Sequence, residues 1–307
     1  MKRDKPETES PGVELRRILV ALDTSPGSLR AIEHAAELAA EWKMDLLGLF
    51  VEDIDLLRLA SAASATRFLY PTACEESLSV VNMESELRAL AERARRELSR
   101  AAAQARVQWS FRTVRGRLPA EILLAASEVD LLSLGGARWS RSMAYRPPTV
   151  RGAAAAGVRP ETAPARRRWA TVLPVLVVYD GSRGREAAFL LAARLAETYG
   201  SPLTVLLPSA SGRLDRELEA EVLRLPAAAH LQIRFRAIDT RDKSSLLRVA
   251  RTEQGDVLVV SGQCSLLDEG AIQAMAHETD KFLLIVGGRS GPADSMKPKA
   301  EHSPKLR

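Results

Sequence analysis

Two stretches decide the fold: Ile18-Leu19-Val20-Ala21-Leu22-Asp23-Thr24-Ser25-Pro26-Gly27 and Val175-Leu176-Val177-Val178-Tyr179-Asp180-Gly181-Ser182-Arg183-Gly184. Each is a short apolar run closed by turn-forming residues, the pattern of a strand buried on both faces of a parallel sheet. Each is followed by an Ala-rich stretch with apolar residues at helical spacing: Ala31, Ile32, Ala35, Ala36, Leu38 and Ala39 in the first. The interval from Asp23 to Asp180, 157 positions, holds without a gap from Leu19 to Leu46. At that interval Ser25 meets Ser182, Gly27 meets Gly184, Ala35-Ala36 meet Ala192-Ala193, and Leu46 meets Leu203. Asp130-Leu131-Leu132-Ser133-Leu134 likewise resembles Asp256-Val257-Leu258-Val259-Val260, with Gly136 and Gly262 beyond. The chain is therefore read as a duplication.

Outward from the first unit, Leu46–Val51 reads as a second strand and Glu84–Ala105 as an amphipathic helix. Val107–Thr113 reads as a third strand, Pro119–Ser127 as a short helix, and Leu131–Leu134 as a fourth strand. The long apolar-containing connection from Glu52 to Val81 is expected to hold short helical pieces. Leu283–Val286 is expected to be the fifth strand of the second unit. The first unit either lacks a fifth strand or shares Val175–Tyr179. Strands alternating with helices imply parallel sheets with right-handed crossovers.

The domain reading is a tail over 1–14, an α/β unit over 15–137, a basic Arg/Pro/Ala-rich linker over 138–172, a second unit over 173–288, and a tail over 289–307. Both tails are expected to be disordered. The net charge of +5 is concentrated in the linker, where Arg138, Arg141, Arg146, Arg151, Arg159 and Arg166 to Arg168 have almost no acid beside them. Such a run is usually a solvated connector.

At these residues the chain resembles the universal stress protein family. The likeness lies in a first strand ending in Asp-x-Ser (Asp23-Thr24-Ser25 and Asp180-Gly181-Ser182), a second strand running into Glu52-Asp53, a turn from Gly116 to Ile122, and a fourth strand ending at glycine. It covers about 16–137 and 173–288. The resemblance implies two tandem open doubly wound parallel-sheet domains of the adenine nucleotide alpha hydrolase-like type, paired as a pseudo-dimer. It also implies adenine-nucleotide binding through the first-strand aspartate, a second-strand valine and a glycine loop after the fourth strand. The corresponding residues are Asp23, Thr24, Ser25, Val51, Gly135, Gly136 and Arg138 in the first unit, and Asp180, Gly181 and Ser182 in the second.

The family's ATP-binding members carry a Gly-x2-Gly-x9-Gly-Ser/Thr loop, whose backbone N–H groups approach phosphate. Here the second glycine of that loop is Arg138, and the later Gly-Ser/Thr pair is Pro148-Thr149. Proline has no N–H to offer. The second unit reads Ser261-Gly262-Gln263-Cys264-Ser265, with no later Gly-Ser. Weak or lost binding of ATP or AMP is expected, with Arg138 and Arg141 as candidate phosphate contacts.

Other chemistry is missing from the sequence. There is no P-loop, no Gly-x-Gly-x-x-Gly after a strand and no nucleophile elbow. The turn after the first strand is not the Ser-Gly-Gly-x-Asp-Ser of the ATP-pyrophosphatases. His34, His230, His277 and His302 lack ligand spacing, and Cys74 and Cys264 form no Cys-x-x-Cys. Neither a catalytic residue nor a metal site is therefore expected. No apolar run opens the chain or reaches membrane-spanning length, so a cytoplasmic location without membrane contact is expected. Aromatics make up only 5%, which disfavours single-strand nucleic acid as a partner.

The leading reading is a non-enzymatic stress-response regulator, an intramolecular pseudo-dimer with homodimerisation left open. One alternative is a scaffold that holds a protein partner through the basic linker and the leucine-rich 54–70 connection. Another is an adenine-nucleotide-processing enzyme of the same superfamily.

Overall fold

Every strand of the sheet's interior grows from one of the apolar runs, and alternate residues of each run face opposite sides. In β1 (Arg17–Leu22), Ile18, Val20 and Leu22 face one layer of helices while Leu19 and Ala21 face the other. The computed structural model describes residues 15–22, 27–62, 66–69, 74–77, 79–135, 174–210, 212–242, 244–279 and 281–287. The expected tails over 1–14 and 289–307 and the 138–172 linker fall outside the described residues.

The first half contributes β1, β2 (Asp45–Asp53), β5 (Trp109–Gly116) and β6 (Leu131–Leu134) to the main sheet. Its helices are α1 (Gly27–Trp42), α2 (Ile54–Ala60), α3 (Val80–Ala105) and α4 (Leu118–Glu128). The second half contributes β7 (Val175–Val178), β8 (Leu203–Ser209), β9 (Ile233–Asp239), β10 (Val257–Ser261) and β11 (Phe282–Val286). Its helices are α5 (Arg185–Tyr199), α6 (Arg216–Arg224), α7 (Ser245–Thr252) and α8 (Glu269–Glu278). The 52–81 connection corrects its expectation in part. It holds α2, but also an antiparallel hairpin of β3 (Thr66–Leu69) and β4 (Cys74–Ser77), which forms a separate two-stranded sheet.

Among the described residues, nine strands make one sheet in the order β5-β2-β1-β6-β11-β10-β7-β8-β9. Each half is parallel within itself, so the chain is two tandem doubly wound α/β units. The halves join where β6 pairs with β11 antiparallel, from Leu131↔Val286 to Leu134↔Leu283.

That seam settles the fifth strand. β11 is the fifth strand of the second unit and also lies on the open side of β6, where a fifth strand of the first unit would belong. The alternative that Val175–Tyr179 is shared is overturned: β7 pairs with β8 and β10, inside its own half.

Two apolar layers complete the fold, and both cross the seam. One packs Leu22, Phe50 and Leu98 of the first half with Phe189, Val205 and Phe282 of the second. The other packs Val51, Ile122 and Leu132 with Val178, Val260, Ile272 and Ile285. Polar contacts across the halves add to this. His34 stacks on Phe282 with centroids 4.1 Å apart. The Arg194 guanidinium lies 4.6 Å from the centre of the Trp42 ring. The Tyr199 hydroxyl donates to Glu41 Oε2 at 3.3 Å.

The seam also needs a glycine at its end. A Cβ on Gly287 would fall 1.8 Å from the Val129 carbonyl oxygen and 2.4 Å from that of Ala126. The Gly287 N–H instead donates to the Asp130 carbonyl at 2.9 Å. The Asp130 side chain accepts from the N–H groups of Arg16 and Arg17, both at 3.0 Å, and so ties the start of β1 to the same point.

Candidate functional site

In an open parallel α/β sheet the ligand crevice lies beyond the carboxyl ends of the strands. In the second half the carboxyl ends of β7 and β10 are described. β7 runs through Tyr179 into Asp180, whose side chain is only 5% exposed. Asp180 Oδ1 accepts from the Ser182 N–H at 3.0 Å, an Asx-type turn that reverses the chain into α5. Gly184 precedes the helix because the turn passes close under β10. A Cβ there would stand 2.3 Å from Ser261 Oγ. Ser261 is buried at the end of β10, and its Oγ accepts from the Gln263 N–H at 3.2 Å. The Ser182 hydroxyl is buried and has no hydrogen-bond partner among the described residues.

The loop after β10 folds down onto this turn. The Cys264 N–H donates to the Ser261 carbonyl and the Leu267 N–H donates to the Cys264 carbonyl, both at 3.0 Å. These turns put Cys264, 4% exposed, and the buried Leu267 against the strand ends. The Cys264 thiol lies close enough to Asp180 to feel its charge. Burial first, then the Asp180 charge, pushes that thiol up to about 12, so it stays protonated at neutral pH. A protonated thiol is a poor nucleophile and a poor metal ligand. Sequence reasoning passed over Cys264, which has no cysteine partner. The repeat register held the signal: the interval from Asp130 to Asp256, 126 positions, also carries Arg138 to Cys264, the place of the loop's second glycine.

Tyr179 and Arg185 brace the turn from behind. The Tyr179 hydroxyl donates to Glu221 Oε1 at 2.8 Å, and Arg185 donates to the same oxygen through Nε at 3.0 Å and Nη2 at 2.8 Å. Arg185 holds the Glu221 carboxyl below its usual range, and burial pushes the Tyr179 phenol up to about 12. Arg185, at the first position of α5, is thus neutralised within the fold.

In the first half, Asp23, Thr24, Ser25, Gly136 and Arg138 lie outside the described residues. Val51 and Gly135 lie within them. β2 and β6 flank β1, so these two residues stand on either side of the point where β1 ends. Val51 is 4% exposed and its side chain belongs to the apolar layer under α4, while Gly135 is half-buried. The rim beyond is ionic. Arg115 bridges Glu52 at 3.0 Å and Glu84 at 3.2 Å. Arg117 bonds Asp55 at 3.0 Å and lowers its pKa. In the second half, Gly181 is exposed and Asp180 and Ser182 sit together in the turn described above, so the structure assembles these three predicted residues in one place.

Among the described residues no group of three or more His, Cys, Asp or Glu is placed to hold a metal ion. No described helix is long and apolar enough to cross a membrane.

Residues 14–142 match the sequence model of the Universal stress protein family. None of the curated proteins matches the chain. Among solved structures, a universal stress protein from Archaeoglobus fulgidus DSM 4304 aligns over 90% of this chain and 98% of its own, with 12% identity and a TM-score of 0.50. A universal stress protein in complex with cAMP aligns over 38% of this chain and 70% of its own, with 20% identity and a TM-score of 0.25. A functionally unknown protein from Pseudomonas aeruginosa PAO1 aligns over 89% of this chain and 93% of its own, with 12% identity and a TM-score of 0.39. The first of these likenesses supports the fold alone.

Proposed function

From the premise that residues 14–142 of this chain belong to the universal stress protein family, we propose that it is a non-enzymatic stress-response regulator whose adenine-nucleotide binding is weak or lost. The observation that carries this is the use made of the glycines around the second crevice. A nucleotide loop keeps its glycines bare so that backbone N–H groups can reach phosphate. Here Gly184 gives room to Ser261, and a Cβ on Gly262 would lie 3.2 Å from the Val286 carbonyl oxygen. Both glycines serve packing between strands and turns. The absence of acid–base or metal chemistry from the sequence motifs, and the protonated Cys264 thiol, support a binding or regulatory role over turnover. A free, buried cysteine suits a reducing compartment such as cytoplasm.

Isothermal titration of the full chain with ATP and with AMP, with and without magnesium, tests the reading. The expected result is Kd above about 0.1 mM or no heat, corresponding to no more than about 5.5 kcal/mol of binding free energy. Tight, magnesium-dependent binding would contradict it.

A further inference from the structure

The outer ridge of α3 carries a charge pattern that the fold does not require. The helix buries Leu87, Ala91, Leu98, Ala101 and Ala102. At about 3.6 residues per turn, the ridge opposite those positions runs through Ala89, Arg93, Arg96, Arg100 and Ala103, and all five are exposed. From Arg88 to Arg106 six arginines stand against two glutamates, so this stretch is strongly positive. Both glutamates are already engaged: Glu92 meets Arg95 at 3.9 Å and Glu97 meets Arg100 at 3.0 Å. Arg93 and Arg96 pair with no acid among the described residues.

Helix stability does not explain these arginines. Arg93 with Arg96, and Arg96 with Arg100, stand at spacings where like charges destabilise a helix. The helix dipole favours cations in the last turn, and the last turn of α3 holds none. The duplicated unit dispenses with the ridge as well. α6 stands between β8 and β9 as α3 stands between β2 and β5, and it sets Glu217, Glu219 and Glu221 against Arg216 and Arg224.

We infer that the Arg93, Arg96 and Arg100 ridge is a docking surface for the phosphate backbone of duplex nucleic acid, held without regard to sequence. Charge complementarity carries the choice of an anionic partner, and the arginine fork suits phosphate. From Arg93 to Arg100 the ridge is about 10 Å long, the length over which one strand of a duplex presents about three phosphates. The alanines at either end leave room for a bulky partner to approach. The ridge has no large apolar side chain to sink into a bilayer and no aromatic ring to stack on an unpaired base. The surface lies outside both crevices, so this test and the nucleotide titration fail separately.

The test is fluorescence anisotropy of the full chain with a labelled duplex of about 20 base pairs, from about 50 to 200 mM salt, where backbone binding weakens steeply. The parent is expected to bind at the low-salt end. Arg93→Gln/Arg96→Gln/Arg100→Gln is expected to bind at least 10-fold more weakly, with a log–log salt slope shallower by about 2–3. Its thermal midpoint should match the parent, since all three side chains are exposed. The triple lysine variant at the same positions should keep the parent's slope. Arg234→Gln/Arg236→Gln/Arg241→Gln removes the same charge from exposed positions at the other end of the sheet and should bind like the parent. A parent that does not bind the duplex would overturn the inference, as would equal losses in the two glutamine variants. Binding to vesicles of one part phosphatidylserine to three parts phosphatidylcholine, without duplex binding, would overturn it in favour of a membrane surface.

Discussion

Gly287 shows how much of this molecule rests on single close approaches. It ends the shared strand where the chain passes the last turn of α4, with the Val129 and Ala126 carbonyls where a side chain would begin. Neither obstacle is the movable tip of a side chain, so Gly287→Ala must displace backbone. Its cost is expected to be about 2–4 kcal/mol, in the range of severe overpacking. Urea unfolding reads it as a lower midpoint at constant slope. An unchanged midpoint would mean that the approach is looser than described. The same scale explains what was legible in the candidate site. Asp180 was found because its residue type and place in the repeat both point to the carboxyl edge. Cys264 was missed because only the register between the two copies marks its place. Ser261, its neighbour, carries no motif at all; its importance comes from the passage of Gly184 beneath it.

Among the elements, α5 and α6 are tied by one carboxylate. Glu221 on α6 accepts from Tyr179, at the end of β7, and from Arg185, at the start of α5. The Tyr179 phenol is raised from 10.0 to about 12, so the folded state favours its protonated form. That contribution is present below pH 10 and is lost as pH rises from about 10 through 12. Denaturation between pH 9 and 12 should therefore show a fall in stability that Tyr179→Phe removes in part. The same variant should be about 1–2 kcal/mol less stable at neutral pH, from a lost hydrogen bond to a charged acceptor. Parallel alkaline curves for the two proteins would count against this role.

Among the strands that sequence reasoning reached, β1, β6, β7, β10 and β11 are the almost wholly apolar runs, because burial on both faces leaves little room for polar residues. β9 escaped notice. It is an edge strand in which Arg234 and Arg236 alternate with Ile233 and Phe235, a pattern that blunts the edge and hides the strand. The hairpin of β3 and β4 escaped because, among the described residues, Thr66–Leu69 and Cys74–Ser77 pair with each other apart from the main sheet.

At the scale of the whole molecule, the two tandem units are joined edge to edge through their sheets. One sheet runs through both, and its two apolar layers each draw on both halves. The duplication is plain in the sequence, but the way the copies join is not. Which edge accepts β11, and in which direction, depends on residues about 150 positions apart in the chain, and strand pairing at that range leaves no local pattern. The consequence is an unequal pair: the second half owns the fifth strand and lends its free edge to the first.

The shared strand is tested most directly by disulfide trapping in its own register. Leu132 and Ile285 are paired across the seam and belong to the same apolar layer, whereas Leu284 lies in the opposite layer. In a Cys74→Ser, Cys264→Ser background, Leu132→Cys with Ile285→Cys should oxidise to an intramolecular crosslink, and Leu132→Cys with Leu284→Cys should not. No crosslink in the first pair, or equal crosslinking in both, would contradict a sheet that β11 makes continuous.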